Sequence, residues 1–232
     1  MVLPRKIPTG CRTIDNILRG GISFESVSLI YGEPETGKTA MAMQCAINCA
    51  RRGFKTLFVD CDGTFSAERL SQIAGDDFER IADLIVLMRP SDFREQMLII
   101  DHSADYVTEH FGLTVFDTIT SLYRAEIAES PAKAFGLNRE LNRQLACLAQ
   151  TAKLGKIAML VTSQVRTAFE EKNVRVEPVA SRVLKFWADT VINLKFTENP
   201  HVIKAILEKP KAQNPFCHLK IEKSGIVEYA TS

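Results

Sequence analysis

The chain has 232 residues, 46% hydrophobic and 25% charged, a balance that suits a globular fold with one large folding unit. A formal charge of +1 excludes any broad electrostatic pull toward nucleic acid or anionic membrane, so contact with a polyanion has to be local. No apolar run reaches the roughly 18 residues of a membrane span, no apolar signal core follows Met1, and the 6 cysteines are scattered without a Cys-x-x-Cys pair, so a reducing, cytoplasmic setting with no membrane partner is expected.

In chain order, Gly10 and the pair Gly20-Gly21 punctuate the start, and 26–31 reads as a β strand. Gly32-Glu33-Pro34-Glu35-Thr36-Gly37-Lys38-Thr39 follows, and then a helix over 38–52 with Ala40, Met41, Cys45, Ala46 and Cys49 at helical spacing. A strand over 56–60, a helix over 66–74 capped by Ser66, a short strand over 84–88 and a long helix from 92 to about 110 come next. The apolar strand 113–116 ends in Asp117; the helix 134–153 carries the stripe Leu137, Leu141, Leu145, Leu148; and 157–162 is a further strand. Residues 167–178 are charged and poor in apolar side chains, which predicts a long mobile loop. The segments 190–196, 201–207 and 217–221, separated by Asn199-Pro200 and Asn214-Pro215, read as antiparallel strands added at the sheet edge. The whole, 1–232, is expected to be a single α/β domain: a mostly parallel central sheet, helices on both faces and a small antiparallel C-terminal extension. In such a sheet ligands sit beyond the carboxyl ends of the strands.

The segment from Gly32 to Thr39 fits G-x-x-x-x-G-K-[ST] between a strand and a helix. Its glycines let the loop Gly32, Glu33, Pro34, Glu35, Thr36, Gly37, Lys38, Thr39 and Ala40 wrap a phosphate, with the N–H groups of its residues other than Pro34 and the helix N-terminus pointing at it. Lys38 would reach the β and γ phosphates, and the Thr39 hydroxyl would hold Mg²⁺. Asp117, delivered by a buried strand, has the chemistry to bind the water shell of that Mg²⁺. Asp60 and Asp62, at the end of the second strand, are candidates to orient or deprotonate an attacking water. The motif alone says only a nucleoside triphosphate; ATP and Mg²⁺ are the ligands expected.

Asp60-Cys61-Asp62-Gly63-Thr64-Phe65 with Glu68-Arg69-Leu70 resembles the catalytic segment of the archaeal and eukaryotic RecA-like recombinases. So do the stretch from Asp117 to Arg124, Thr162-Ser163-Gln164-Val165, and the lead-in from Pro8 to Leu18 with Gly20-Gly21. The resemblance runs from about residue 7 to 225 and implies a RecA-like P-loop NTPase core. It implies that Asp62 stands where the family has its catalytic glutamate, Arg69 where an arginine stacks on adenine, and Gln164 where a glutamine senses the γ-phosphate. Asp62 is one methylene shorter than glutamate, and an error of about 1 Å at a reacting centre costs on the order of a hundredfold, so weak hydrolysis is expected.

The resemblance also implies contact of single-stranded DNA with the region after Gln164, which holds Arg166, Lys172, Arg175, Arg182 and Lys185 around Phe169. Glu170, Glu171 and Glu177 dilute that charge, and a neighbouring loop over 125–134 offers Lys133 against Glu126 and Glu129, so binding should be weak and salt-sensitive. Lys209 and Lys211 are further candidates, for the phosphates of a neighbouring subunit in an assembly. With Gly32 so near the start, the helical N-terminal domain and the linker of full recombinases are expected to be missing. That implies an accessory role in homologous recombination and repair, with a recombinase, a repair nuclease or a second copy of the chain as candidate partners. A KaiC-like regulatory ATPase, and a nucleotide-dependent interaction module without DNA contact, are the alternatives; the paired glutamates that would favour the former are absent after the second strand.

Overall fold

A computed structural model describes residues 6–108, 110–170, 173–210 and 215–229, leaving aside the side chains of 167–170 and 173–176. Two short strands, β1 (Lys6–Ile7) and β2 (Ile22–Ser23), pair antiparallel around helix α1 (Arg12–Ile17). The parallel part of the main sheet starts with β3 (Ser26–Gly32), β4 (Lys55–Asp60), β5 (Ile85–Met88), β6 (Phe111–Asp117) and β7 (Ala158–Ser163). A separate hairpin, β8 (Val165–Glu170) with β9 (Asn173–Pro178), precedes β10 (Thr190–Phe196), β11 (Ile203–Lys209), β12 (Phe216–Glu222) and β13 (Gly225–Glu228). The sheet has 9 strands in the order β13-β12-β11-β10-β3-β7-β6-β4-β5. It is parallel from β10 to β5 and antiparallel from β10 outward to β13, as the sequence pattern predicts.

Alternation along the central strands divides two cores. Phe58 of β4 faces one with Met41, Cys45 and Ile47, while its neighbours Leu57 and Val59 face the other with Leu141, Leu145 and Leu148. The first core is covered by α2 (Lys38–Arg51), α3 (Ala67–Ala74) and α4 (Phe78–Ile81). Over the second lie α5 (Phe93–Asp101), α6 (Ser103–Tyr106), α7 (Ser121–Glu129), α8 (Ala134–Leu154) and α9 (Ser181–Trp187). Ser66 caps α3 by accepting the Arg69 N–H at 3.2 Å, the expected helix start. Among the described residues no helix is long and apolar enough to cross a membrane.

Three expectations need correction. Residues 167–178, expected as a mobile loop, belong to the β8–β9 hairpin, in which Val165 pairs with Pro178 and Thr167 with Val176. The alternation of Val174 and Val176 with Arg175 and Glu177 is a strand period that the charge count conceals. The helix expected to reach about 110 turns at His102 and ends at Tyr106, before the β-branched pair Val107-Thr108. Residues 125–134 are not an open loop: α7 runs to Glu129, and a 3-10 turn, Pro131–Lys133, joins it to α8.

The C-terminal hairpin of β12 and β13 is tied to α2 by one side chain. Gln44, 7% exposed, donates from Nε2 to Ile226 O at 3.0 Å and accepts the Ile226 N–H at 2.8 Å. Gly225 has φ +110, and a Cβ there would meet Gln44 Cδ at 2.7 Å, so this turn needs glycine. Gln44→Leu keeps the bulk but strands a buried N–H and a buried carbonyl, a loss of about 2–4 kcal/mol. Urea unfolding should show a lower midpoint for this variant, and an unchanged midpoint would contradict the assignment.

Candidate functional site

Strands β3, β4, β6 and β7 end side by side, with Asp60 paired in register with Asp117 and Tyr31 with Ser163. The loop after β3 therefore faces the acidic ends of β4 and β6. Gly37, with φ +90, turns that loop into α2, so the first helical residues Lys38, Thr39 and Ala40 stand at the helix N-terminus. Lys38 is 8% exposed, and its ammonium donates to the carbonyls of Gly32 at 3.0 Å and Glu33 at 2.7 Å. Burial lowers its pKa, and the charges of Asp117, Asp62 and Glu33 work against that shift. Thr36, wholly buried, donates its hydroxyl to Glu33 O at 2.8 Å and so fixes the curve of the loop. Glu35, Gly37, Lys38, Thr39 and Ala40 line a cavity of about 290 Å³ together with Arg69 and Ile221. Pro34 immediately precedes Glu35 in the same loop.

Asp117 is 1% exposed, and burial raises its pKa, as do the carboxylates of Asp62 and Asp60. The hydroxyls of Thr162 and Thr39 favour its charged form, but only Thr162 makes a formed hydrogen bond, to Oδ1. Asp117 Oδ2 is buried without a partner. An unpartnered buried carboxylate oxygen beside a threonine hydroxyl fits a hydrated divalent cation held by Thr39 and Asp117.

The two acidic candidates on β4 and its following turn separate in role. Asp60 is fully buried and accepts the N–H groups of Thr64 at 3.0 Å and Phe65 at 3.1 Å, with Arg89 donating to it at 3.0 Å. It is spent on holding the turn that carries Asp62. Gln164 donates to Asp62 Oδ2 at 3.5 Å, and Arg124 donates to Gln164 Oε1. Sequence reasoning missed Arg89, which no motif marks, and gave Arg124 no role beyond closing a matched segment. Arg69 donates to Lys223 O at 2.8 Å and Glu222 O at 2.6 Å, so its guanidinium hangs from the β12–β13 turn.

A second cavity, about 570 Å³, lies between α7, α8, α9 and the foot of the β8–β9 hairpin. Arg124, Arg166 and Arg182 all line it, together with Tyr123, Asn138 and Glu177. Arg166 is paired with Glu177 at 2.9 Å, so part of its charge is already neutralised. Lys172 and Lys211 lie outside the described residues, and Arg175 is placed only by its backbone, opposite Ala168. Lys133 sits 3.7 Å from Glu126. Lys209 donates to Lys185 O at 3.3 Å and to Ala188 O, tying its ammonium to the C-terminal end of α9.

A model of the Rad51 family matches residues 4–229 of this chain. The chain belongs to the Rad51 family. It is 34% identical over 209 residues to a protein of Methanothermobacter thermautotrophicus named DNA repair and recombination protein RadB, covering 88% of this chain and 87% of the relative. A protein of the same name from Methanobrevibacter smithii is 32% identical over 228 residues, covering 96% and 95%. The crystal structure of the RadB recombinase superposes with a TM-score of 0.82 at 32% identity, over 97% of this chain and 100% of the other. The fold is thus the RecA-like fold that the P-loop, Asp60 to Leu70 and Thr162 to Val165 predict from sequence.

The strand feeding the P-loop is braced by a polar network. Tyr31 donates its hydroxyl to Glu208 Oε1 at 2.7 Å, Lys185 donates to Oε2 at 2.8 Å and Asn193 to Oε1 at 3.0 Å. Burial opposes ionisation of Glu208, but the bonds from Lys185, Tyr31 and Asn193 outweigh it and hold the carboxyl below the usual glutamate value. A depressed folded-state pKa means stability that is present above the unfolded value, near 4.5, and lost as pH falls through the folded value. Glu208→Gln should therefore cost about 1 kcal/mol at pH 7, a modest figure because water screens the partly exposed Lys185. Unfolding curves of the two proteins should converge at acid pH; a gap that persists there would show that the lost charge is not the cause.

Proposed function

We propose that this chain binds ATP with Mg²⁺ in the cavity beside Lys38, hydrolyses it weakly, and acts as a DNA-binding accessory protein of homologous recombination and repair, within one RecA-like domain spanning 1–232. The observation that carries the nucleotide reading is the buried Lys38 ammonium set against the unpartnered Asp117 carboxylate at the ends of parallel strands. Lys38 and the loop amides would hold the phosphates, and Thr39 and Asp117 would hold Mg²⁺, which supplies charge neutralisation when bound. Asp62 would take the proton of an attacking water, with Gln164 orienting it. The repair role is supported by family membership and by relatives named DNA repair and recombination protein RadB.

The reading of single-stranded DNA binding is supported by Arg124, Arg166 and Arg182 around one cleft, with Lys172 and Arg175 further candidates. Their excess over acid is small, so binding should be weak, salt-sensitive and steered by the nucleotide state through the series Asp62, Gln164, Arg124. A second copy of the chain, a recombinase or a repair nuclease is the proposed protein partner.

Lys38→Ala should abolish binding of Mg-ATP in equilibrium dialysis while the protein stays folded; retained binding would sink the nucleotide reading. Asp62→Glu, which restores the missing methylene, should raise steady-state ATP turnover by about tenfold or more, within the range that positioning controls. A rate unchanged or lowered would remove Asp62 from the chemistry. Anisotropy titration with single-stranded DNA should give binding at low salt that weakens several-fold at higher salt, and no binding at low salt would eliminate the DNA reading.

A further inference from the structure

Arg89, which no motif marks, follows directly on the edge strand β5, whose last residue Met88 pairs in register with Val59 of β4. We propose that Arg89 is a positioning residue for ATP hydrolysis: by pairing with the buried Asp60 carboxylate it keeps that group on the turn that carries Asp62, and so sets where Asp62 meets the attacking water. The proposal rests on the reading of Asp62 given above and adds to it the residue that governs its position.

The turn after β4 is fixed mainly from its base. Thr64 donates its N–H to Asp60 Oδ1 at 3.0 Å and Phe65 donates to Oδ2 at 3.1 Å, so each oxygen of one carboxylate holds one residue of the turn. Cys61 gives its N–H to Asp117 O at 2.7 Å, a contact that stops one residue short of Asp62. Beyond the turn, Phe65 meets Phe58 edge-on with ring centroids 5.0 Å apart, which anchors the far end in the first core. Asp62 lies between these anchors, and the hydrogen bond it accepts from Gln164 is a long one, 3.5 Å. Gly63 comes next, with φ +69, and a Cβ there would meet nothing within 4 Å. No neighbouring wall steadies the turn at that point, so the course of Asp62 follows the hold that Asp60 exerts.

Asp60 in turn depends on a cation. It is fully buried, and its register partner on β6 is a second buried carboxylate, Asp117. Arg89 compensates it from the opposite side, across β5: Nε donates to Oδ2 at 3.0 Å, and Nη2 lies 2.9 Å from the same oxygen. A buried carboxylate deprived of its cation is left uncompensated. It relieves this by turning toward water and giving up N–H groups, and the turn moves with it. The Arg89 side chain is 53% exposed, so it can be exchanged without opening the core. The Lys38 ammonium, held by carbonyls of its own loop, makes no contact with this pair, so the grip on phosphate stays in place while Asp62 shifts.

Steady-state turnover of Mg-ATP by the full chain, followed as released radiolabelled phosphate, tests the proposal. Arg89→Gln should lower kcat by about tenfold, the effect of a displacement under about 1 Å, and leave KM within about twofold. Arg89→Lys keeps the charge but loses the fork of two nitrogens, and its kcat should fall by about threefold. In the Arg89→Gln background the gain from Asp62→Glu should shrink to about twofold or less, because the two sites are coupled through the turn. An unchanged kcat in Arg89→Gln, or a KM that rises as much as kcat falls, would overturn the proposal. So would Arg89→Lys being no better than Arg89→Gln, or an Asp62→Glu gain that survives undiminished. Asp62→Ala separates the two ideas: turnover intact in that variant removes Asp62 from the chemistry and this inference with it, whereas turnover lost there but intact in Arg89→Gln removes the role of Arg89 alone. If Arg89→Gln does not fold, Arg89→Lys decides, a kcat about threefold lower at constant KM supporting the proposal and an unchanged kcat overturning it.

Discussion

A buried ammonium at the foot of a helix, facing carboxylates at the ends of two parallel strands, is the constraint around which the structure is arranged. Lys38 is nearly closed off from water, its ammonium donates to carbonyls of its own loop, and the acids opposite work against the lowering of its pKa by burial. Charges in so little solvent interact strongly and cost dearly if left alone, so the strands that carry them have to end in register. The pairing of Asp60 with Asp117 across β4 and β6 meets that condition. Asp60 is then consumed by the turn and by Arg89, and Asp117 keeps one oxygen without a partner. That open oxygen is where the proposed divalent cation, carrying a triphosphate, would be held.

Around this centre the remaining elements act as supports that reach the site from different parts of the chain. The network of Tyr31, Glu208, Lys185 and Asn193 links the strand before the P-loop to β11 and to α9. Lys209 fastens the end of α9 in the same neighbourhood, which gives it a place within its own chain. On the opposite side Gln44 fastens the C-terminal hairpin to α2. Between the two cavities runs the series from Asp62 through Gln164 to Arg124, a short polar path from the proposed nucleotide site to the basic cleft.

Much of this was legible in the sequence, for reasons that differ by element. The P-loop signals itself because close backbone approach to phosphate demands glycine, lysine and a hydroxyl at fixed spacing within a few residues. The parallel strands signal themselves because burial on both faces leaves few polar positions, as in β6, where every residue from Phe111 to Asp117 is buried and the polar ones are Thr114 and Asp117. The β8–β9 hairpin was hidden because its valine alternation is interrupted by charged neighbours, and a count of charges outweighs a period of two over so short a stretch. Arg89, Gln44 and Ile221 were invisible for another reason: each acts through a contact between segments far apart in the chain, Gln44 and Ile226 being 182 positions apart. Local pattern carries no trace of such pairings.

The central claim is that the acids and the ammonium at the strand ends form one site for a metal-bound triphosphate. Calorimetric titration of the wild-type protein with ATP, once with Mg²⁺ and once with the metal chelated, tests it most directly. The account predicts saturable binding of one nucleotide per chain that weakens by at least about tenfold when the metal is withdrawn, roughly 1.4 kcal/mol. Absence of saturation, or an affinity indifferent to the metal, would contradict it.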